Sequence, residues 1–272
     1  MAVRLAMTAA ILALLVYLGL CGLLFARQRE LMYFPQLTRV DAAHTDHVLV
    51  RDGVTLRGWR VNPGRRDAIL YFGGNAERVE YHRTEFTRRF PDSSVYLMPY
   101  RGYGANPGAP DEQTLQADAL ALYDQVRSLH PEGRIALIGR SLGSGVASYV
   151  AGHRDVARLV LVTPFDSLAS VAQAHYRWLP ARWLVRDRYD SIAHLARYDG
   201  PVLIVRAGRD EVVLPANTDR LAAALSRAEV LDLPLAGHGS IDAAPAYAET
   251  LVRFLALRPQ EQSAREATRD KR

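Results

Sequence analysis

Arg134-Ile135-Ala136-Leu137-Ile138-Gly139-Arg140-Ser141-Leu142-Gly143-Ser144-Gly145 is the stretch that decides how this chain folds. Its first half is a short apolar run, the pattern of a strand buried on both faces. Its second half is rich in small residues and continues through Val146 and Ala147 into a helical pattern. Between the two lies Gly139-x-Ser141-x-Gly143. A serine there sits on a sharp strand-to-helix turn, where only small neighbours let the two backbones approach. With glycine near 7% of residues, a chance match somewhere in such a chain has odds of about one in ten. The strand before and the helix after are therefore what make it informative.

Working outward, short apolar runs alternate with helical stretches. Residues 47–50 and 54–59 read as two strands joined by the turn pair Asp52-Gly53, hence antiparallel at one edge. Further strands are expected at 68–72, 94–98, 134–138, 159–162, 202–205 and 230–233. Helices are expected at 76–90, 111–129, 142–153, 215–225 and 243–257. Strands and helices in alternation predict an α/β architecture, a mostly parallel sheet flanked by helices on both sides. Residues 167–198 interrupt the rhythm with Arg, Tyr and Trp and read as a short cap segment above the sheet. Residues 259–272 are polar and charged, the composition of a disordered tail.

Residues 5–25 carry no charge at all. At about 1.5 Å per residue this run matches a hydrocarbon core of about 30 Å, which predicts a single-pass transmembrane anchor over residues 1–27 and a globular domain over 28–258. A cleaved signal peptide is the competing reading. It asks for a shorter apolar core and a small-x-small site, and Gly19-Leu20-Cys21 offers one only marginally. Arg4 on one flank and Arg27 and Arg29 on the other leave the membrane side open.

The 272 residues are 49% hydrophobic and 23% charged, as in globular proteins, so a disordered chain is excluded. The net charge of +5 is spread as arginines among acids, without the basic stripe that nucleic acid requires. Cys21, the single cysteine, lies in the apolar run, so the domain forms no internal disulfide. No G-x-G-x-x-G or phosphate-binding loop is present, and no cofactor is implied. His44-x-x-His47 with Asp41 and Asp46 lacks further ligands in a recognised spacing and reads as a solvated loop, not a metal site.

A serine hydroxyl is a weak nucleophile and needs a base, itself oriented by a carboxylate. Beyond the strand at 202–205 comes Asp210, and beyond that at 230–233 comes His238. Both fall at the carboxyl ends of parallel strands, where open α/β sheets bind ligands, and the order Ser, Asp, His follows one known template. Ser141, Asp210 and His238 are thus the expected catalytic triad. Donors to the oxyanion are expected from the N–H of Leu142 and, in the loop Phe72-Gly73-Gly74-Asn75-Ala76, from that of Asn75.

With these residues together the sequence resembles the membrane-anchored α/β-hydrolase-domain family, which includes protein depalmitoylases and lysophospholipid lipases. The resemblance runs through most of the chain. It takes in Leu31-Met32-Tyr33-Phe34-Pro35, Tyr100-Arg101-Gly102-Tyr103-Gly104, Gly108-x-Pro110-x-Glu112, Gly139 to Gly145, Thr163-Pro164-Phe165-Asp166-Ser167-Leu168 and Pro201 through Pro215. Two positions depart from it. Gly73 stands where many members have His, and Ala207-Gly208 replaces a usual His-Gly while leaving Asp210 in register. The resemblance implies the α/β-hydrolase fold and a serine hydrolase acting on a small-molecule or lipid-borne acyl ester or thioester at a membrane. A serine peptidase of the same fold and a non-catalytic hydrolase-like scaffold are the alternatives. The second normally lacks a triad member, and here all three are present.

Overall fold

A computed structural model describes residues 1–256. The expected tail at 259–272 lies outside them. The chain opens with helix α1 (Ala2–Met32) and enters a hairpin of β1 (His47–Arg51) and β2 (Val54–Val61). Asp52 and Gly53 both take positive φ, 50° and 72°, as a two-residue hairpin turn requires. Then follow β3 (Asp67–Phe72), α2 (Arg83–Arg89), β4 (Ser93–Leu97), α3 (Glu112–Leu129), β5 (Ile135–Arg140), α4 (Leu142–Ala151) and β6 (Arg158–Val162). Three short helices, α5 (Leu168–His175), α6 (Ala181–Leu184) and α7 (Ser191–Leu195), fill the cap segment. The chain closes with β7 (Val202–Ala207), α8 (Pro215–Ala224), β8 (Glu229–Leu233) and α9 (Pro245–Leu255).

The eight strands form one sheet in the order β1-β2-β4-β3-β5-β6-β7-β8. β2 runs antiparallel to β1 and to β4, and every pairing from β4 to β8 is parallel. The alternation of side chains along each strand divides the core in two. Leu70, Leu137 and Leu161 face α3, α4 and α8, where Leu122, Val146 and Leu221 meet them. Tyr71, Ile138 and Val162 face α2 and α9, where Phe86 and Leu251 meet them. Asp111 caps α3 by accepting a hydrogen bond from the Thr114 N–H at 2.8 Å.

The structure departs from the sequence reading at two elements. The helix expected from residue 76 begins only at Arg83, because Ala76 takes a left-handed φ of 60° and a single 3₁₀ turn at Val79–His82 follows. The N-terminal helix, expected to end near residue 27, continues to Met32, where Pro35 prevents the helical conformation at Phe34. Its final turns are bolted to the cap. Arg29 donates through Nε and a terminal nitrogen to both carboxylate oxygens of Asp187, each at 2.9 Å, and Tyr33 donates its hydroxyl to the same group. Higher up, Cys21 packs against Leu179 and Ala181, and the Tyr17 hydroxyl donates to the Trp178 carbonyl. Among the described residues α1 is the one helix long and apolar enough to cross a membrane.

Candidate active site

Ser141 stands between β5 and α4, with φ 50° and ψ −116°. For a residue with a side chain this conformation costs about 1–3 kcal/mol, and the surroundings hold it there. Its N–H donates to the Val162 carbonyl at 2.9 Å, and its own carbonyl accepts from both the N–H and the hydroxyl of Ser144. The flanking glycines are required by space. A Cβ on Gly139 would lie 2.4 Å from the Gly143 carbonyl oxygen, and one on Gly143 would lie 2.0 Å from that of Phe72.

The three residues expected to act together do meet. His238, in the loop after β8, places Nε2 3.0 Å from the Ser141 Oγ and Nδ1 2.7 Å from Asp210 Oδ2. Asp210, in the loop after β7, is 4% exposed and accepts through Oδ1 from the N–H groups of Val212 and Val213. A carboxylate fixed in this way accepts from Nδ1–H, which selects the tautomer whose Nε2 receives the serine proton. Asp166, the other buried acid near the same strand ends, is committed elsewhere. It binds Arg220 at 2.8 Å and Asn217 at 2.9 Å.

Leu142 is the first residue of α4, so its N–H has no carbonyl within the helix to meet and faces the turn at Ser141. The loop after β3 lies alongside: a Cβ on Gly74 would be 3.6 Å from that of Ser141. The Asn75 side chain anchors this loop, donating to the Met32 carbonyl at 2.5 Å and accepting from the Tyr103 hydroxyl at 2.7 Å. Gly73, which departs from the family pattern, faces Val79, and a Cβ there would come within 2.6 Å of it.

Beneath the loop lies a charged cluster that the sequence reading did not contain. Glu77 accepts from the Gly74 N–H, from the Tyr71 hydroxyl at 2.5 Å and from His82 Nε2 at 2.5 Å. The Arg140 guanidinium stands 3.7 Å from Glu77 and donates to the His238 carbonyl at 3.3 Å. Burial alone would raise the Glu77 pKa. The hydrogen bond from His82 and the charges of Arg140 and His82 outweigh it and hold the carboxyl at about 2. Burial likewise opposes the charged form of His82, but Glu77 and Glu85 raise it to about 9. One buried carboxylate thus ties the loop after β3 to Arg140, and Arg140 to the loop carrying His238. Tyr71, Gly74 and His82 lie within six residues of Glu77, but Arg140 reaches it only in the folded chain, so the local sequence does not mark the cluster.

Of the residues weighed as metal ligands, His47 turns its ring to Gln125, with Nε2 3.0 Å from the side-chain oxygen, and burial lowers its pKa. No group of three or more His, Cys, Asp or Glu side chains that could hold a metal occurs among the described residues.

Comparison with known proteins places this geometry in context. Residues 72–193 match the family model described as serine aminopeptidase S33. An uncharacterized protein of Mycobacterium tuberculosis is 38% identical over 238 residues, covering 82% of this chain and 85% of its own. The alpha/beta hydrolase domain-containing protein WAV2 of Arabidopsis thaliana is 30% identical over 237 residues, covering 74% and 77%. Among solved structures, an esterase of Pyrococcus furiosus superposes with a TM-score of 0.60 at 17% identity, over 82% of this chain and 93% of its own.

Proposed function

The chain belongs to the α/β-hydrolase-domain proteins, a family of hydrolases, and within it we propose a serine hydrolase that cleaves a carboxylic ester or thioester of an acyl chain. The observation that carries this reading is the unbroken line Asp210–His238–Ser141, at 2.7 and 3.0 Å. Ser141 Oγ attacks the acyl carbonyl carbon while its proton passes to His238 Nε2. The carbonyl oxygen, now negative, takes hydrogen bonds from the N–H groups of Leu142 and Asn75. When the tetrahedral centre collapses, the alcohol or thiol leaves with the proton held on His238. Water then repeats the sequence and frees the acid and Ser141. Asp210 holds the imidazole in place and supports the imidazolium.

Acyl substrates are favoured because α1 presents an apolar run of membrane-crossing length next to the domain. We read it as an anchor that keeps the site beside lipid-borne esters, residues 28–258 forming the hydrolase domain. The description of the matching family favours a second reading, an aminopeptidase. Such an enzyme needs a free carboxylate to hold the substrate's amino group. Two acids of the site are already engaged, Glu77 with His82 and Arg140 and Asp166 with Arg220. A fluorophosphonate probe tests the assignment. The wild-type chain is labelled and Ser141→Ala is not; equal labelling of both would reject Ser141 as the nucleophile.

A further inference from the structure

Between α1 and the cap lies a cavity of about 390 Å³, within the range of small-molecule sites, roughly 300–1,000 Å³. Leu24, Leu31 and Met32 of α1 form one wall, and Val171, Ala172 and Leu184 of the cap form the other. Two polar side chains at its edge, Gln28 and His175, are already engaged within the protein. Gln28 donates to the Leu184 carbonyl and accepts from the Arg186 N–H, and His175 Nε2 donates to the Val212 carbonyl at 2.9 Å. What remains is a mostly apolar lining, with the exposed Tyr176 at its edge.

Two contacts join this cavity to the reacting centre. Val212, on its wall, donates its N–H to Asp210, and Met32, on the opposite wall, gives its carbonyl to the Asn75 side chain. On α1, Leu18, Leu20 and Leu23, within two turns before the cavity-lining Leu24, are exposed apolar side chains. Apolar side chains thus run along α1 from its membrane-crossing segment to the cavity wall. We propose that this cavity receives the acyl chain of the ester cleaved at Ser141, so that the N-terminal helix is a wall of the substrate site and not only a tether. The proposal rests on the serine-hydrolase reading and adds the acyl site and its owner. An unbranched hydrocarbon is the occupant that the lining fits, since burying each methylene raises kcat/KM about fourfold while the cavity has room.

The test uses the full chain in detergent micelles and an alkyl fluorophosphonate with a diazirine at the far end of a long chain. After labelling and irradiation, digestion should yield the Ser141 peptide cross-linked to peptides of α1 or α5. Attachment at Ser141 with cross-links only elsewhere would overturn the acyl site and leave the nucleophile standing. Failure to attach at Ser141 would overturn both. Independently, Ala172→Trp fills the cavity from the cap side, and the ratio of kcat/KM for the p-nitrophenyl ester of a twelve-carbon acid to that for the acetate should fall at least about tenfold. An unchanged ratio in a variant that folds and labels normally would refute the assignment.

Discussion

Replacing Glu77 by Gln keeps the shape of the side chain and an oxygen to accept from the Gly74 N–H, but removes the charge. His82 is held near 9 in the folded protein, against an ordinary 6.5, through its hydrogen bonds to Glu77 and Glu85. Such a displacement corresponds to about 3 kcal/mol, an upper bound for Glu77 because Glu85 supplies part of it. The lowered Glu77 pKa describes the same attraction from the other partner, so the two are not added. Both side chains are about 15% exposed, 15% and 14%, which leaves little solvent screening. The figure agrees with the roughly 3–5 kcal/mol lost when one member of a buried pair is removed. For a domain of this size it lowers Tm by at most about 6–12 °C. The sign of the pH dependence follows. His82 is raised, so its contribution is complete below about 6.5 and fades as pH rises through about 9. Glu77 is depressed, so its share is complete above about 4.5 and is lost only as pH falls through about 2. Thermal unfolding of the full chain in detergent at pH 7 and pH 10 measures both effects. Wild type should lose stability between them, whereas Glu77→Gln should start lower and lose less. A variant within 2 °C or so of wild type at pH 7, or with the same pH dependence, would refute the reasoning.

Three further outcomes are expected. Asp210→Asn should lower kcat by about 10⁴-fold with an unchanged fold, through the wrong imidazole tautomer; an undiminished rate in steady-state assays would show that another group orients His238. Asp187→Ala removes the charge-assisted bonds to Arg29 and Tyr33, worth about 1.5–3 kcal/mol locally; limited trypsin digestion at Arg182 and Arg186 should then run at least about tenfold faster, and equal rates would mean that the clamp does not hold α1 to the cap. The full-length protein should stay with membranes after high-salt and alkaline washes, since salt screens charge attachment but not apolar burial; release into the wash, or a mature N-terminus near Gly22, would reject the anchor.

The sheet was legible because its central strands are buried on both faces, so that 68–72 and 159–162 are nearly unbroken apolar runs. The three residues of the site were legible because each follows the end of a strand, in the order the fold imposes. Strand order was not, since β4 inserts between β2 and β3 through contacts distant in sequence. Residues 76–82 have helix-forming side chains, but the loop that supports Gly74 turns through Ala76 in a left-handed conformation, and tertiary contacts override propensity there. The Glu77 cluster was hidden for a related reason. Arg140 looks like a variable position inside Gly139-x-Ser141, and only the folded chain brings it to Glu77 and to the His238 carbonyl.

An acyl intermediate on Ser141 can be trapped during turnover. The full chain is mixed with a p-nitrophenyl ester, quenched in acid within the first turnovers, digested and weighed by mass spectrometry. The acyl mass should appear on the peptide that carries Ser141 and be absent from Ser141→Ala. Continued turnover with no adduct on that peptide, or with the acyl group on another residue, would contradict it.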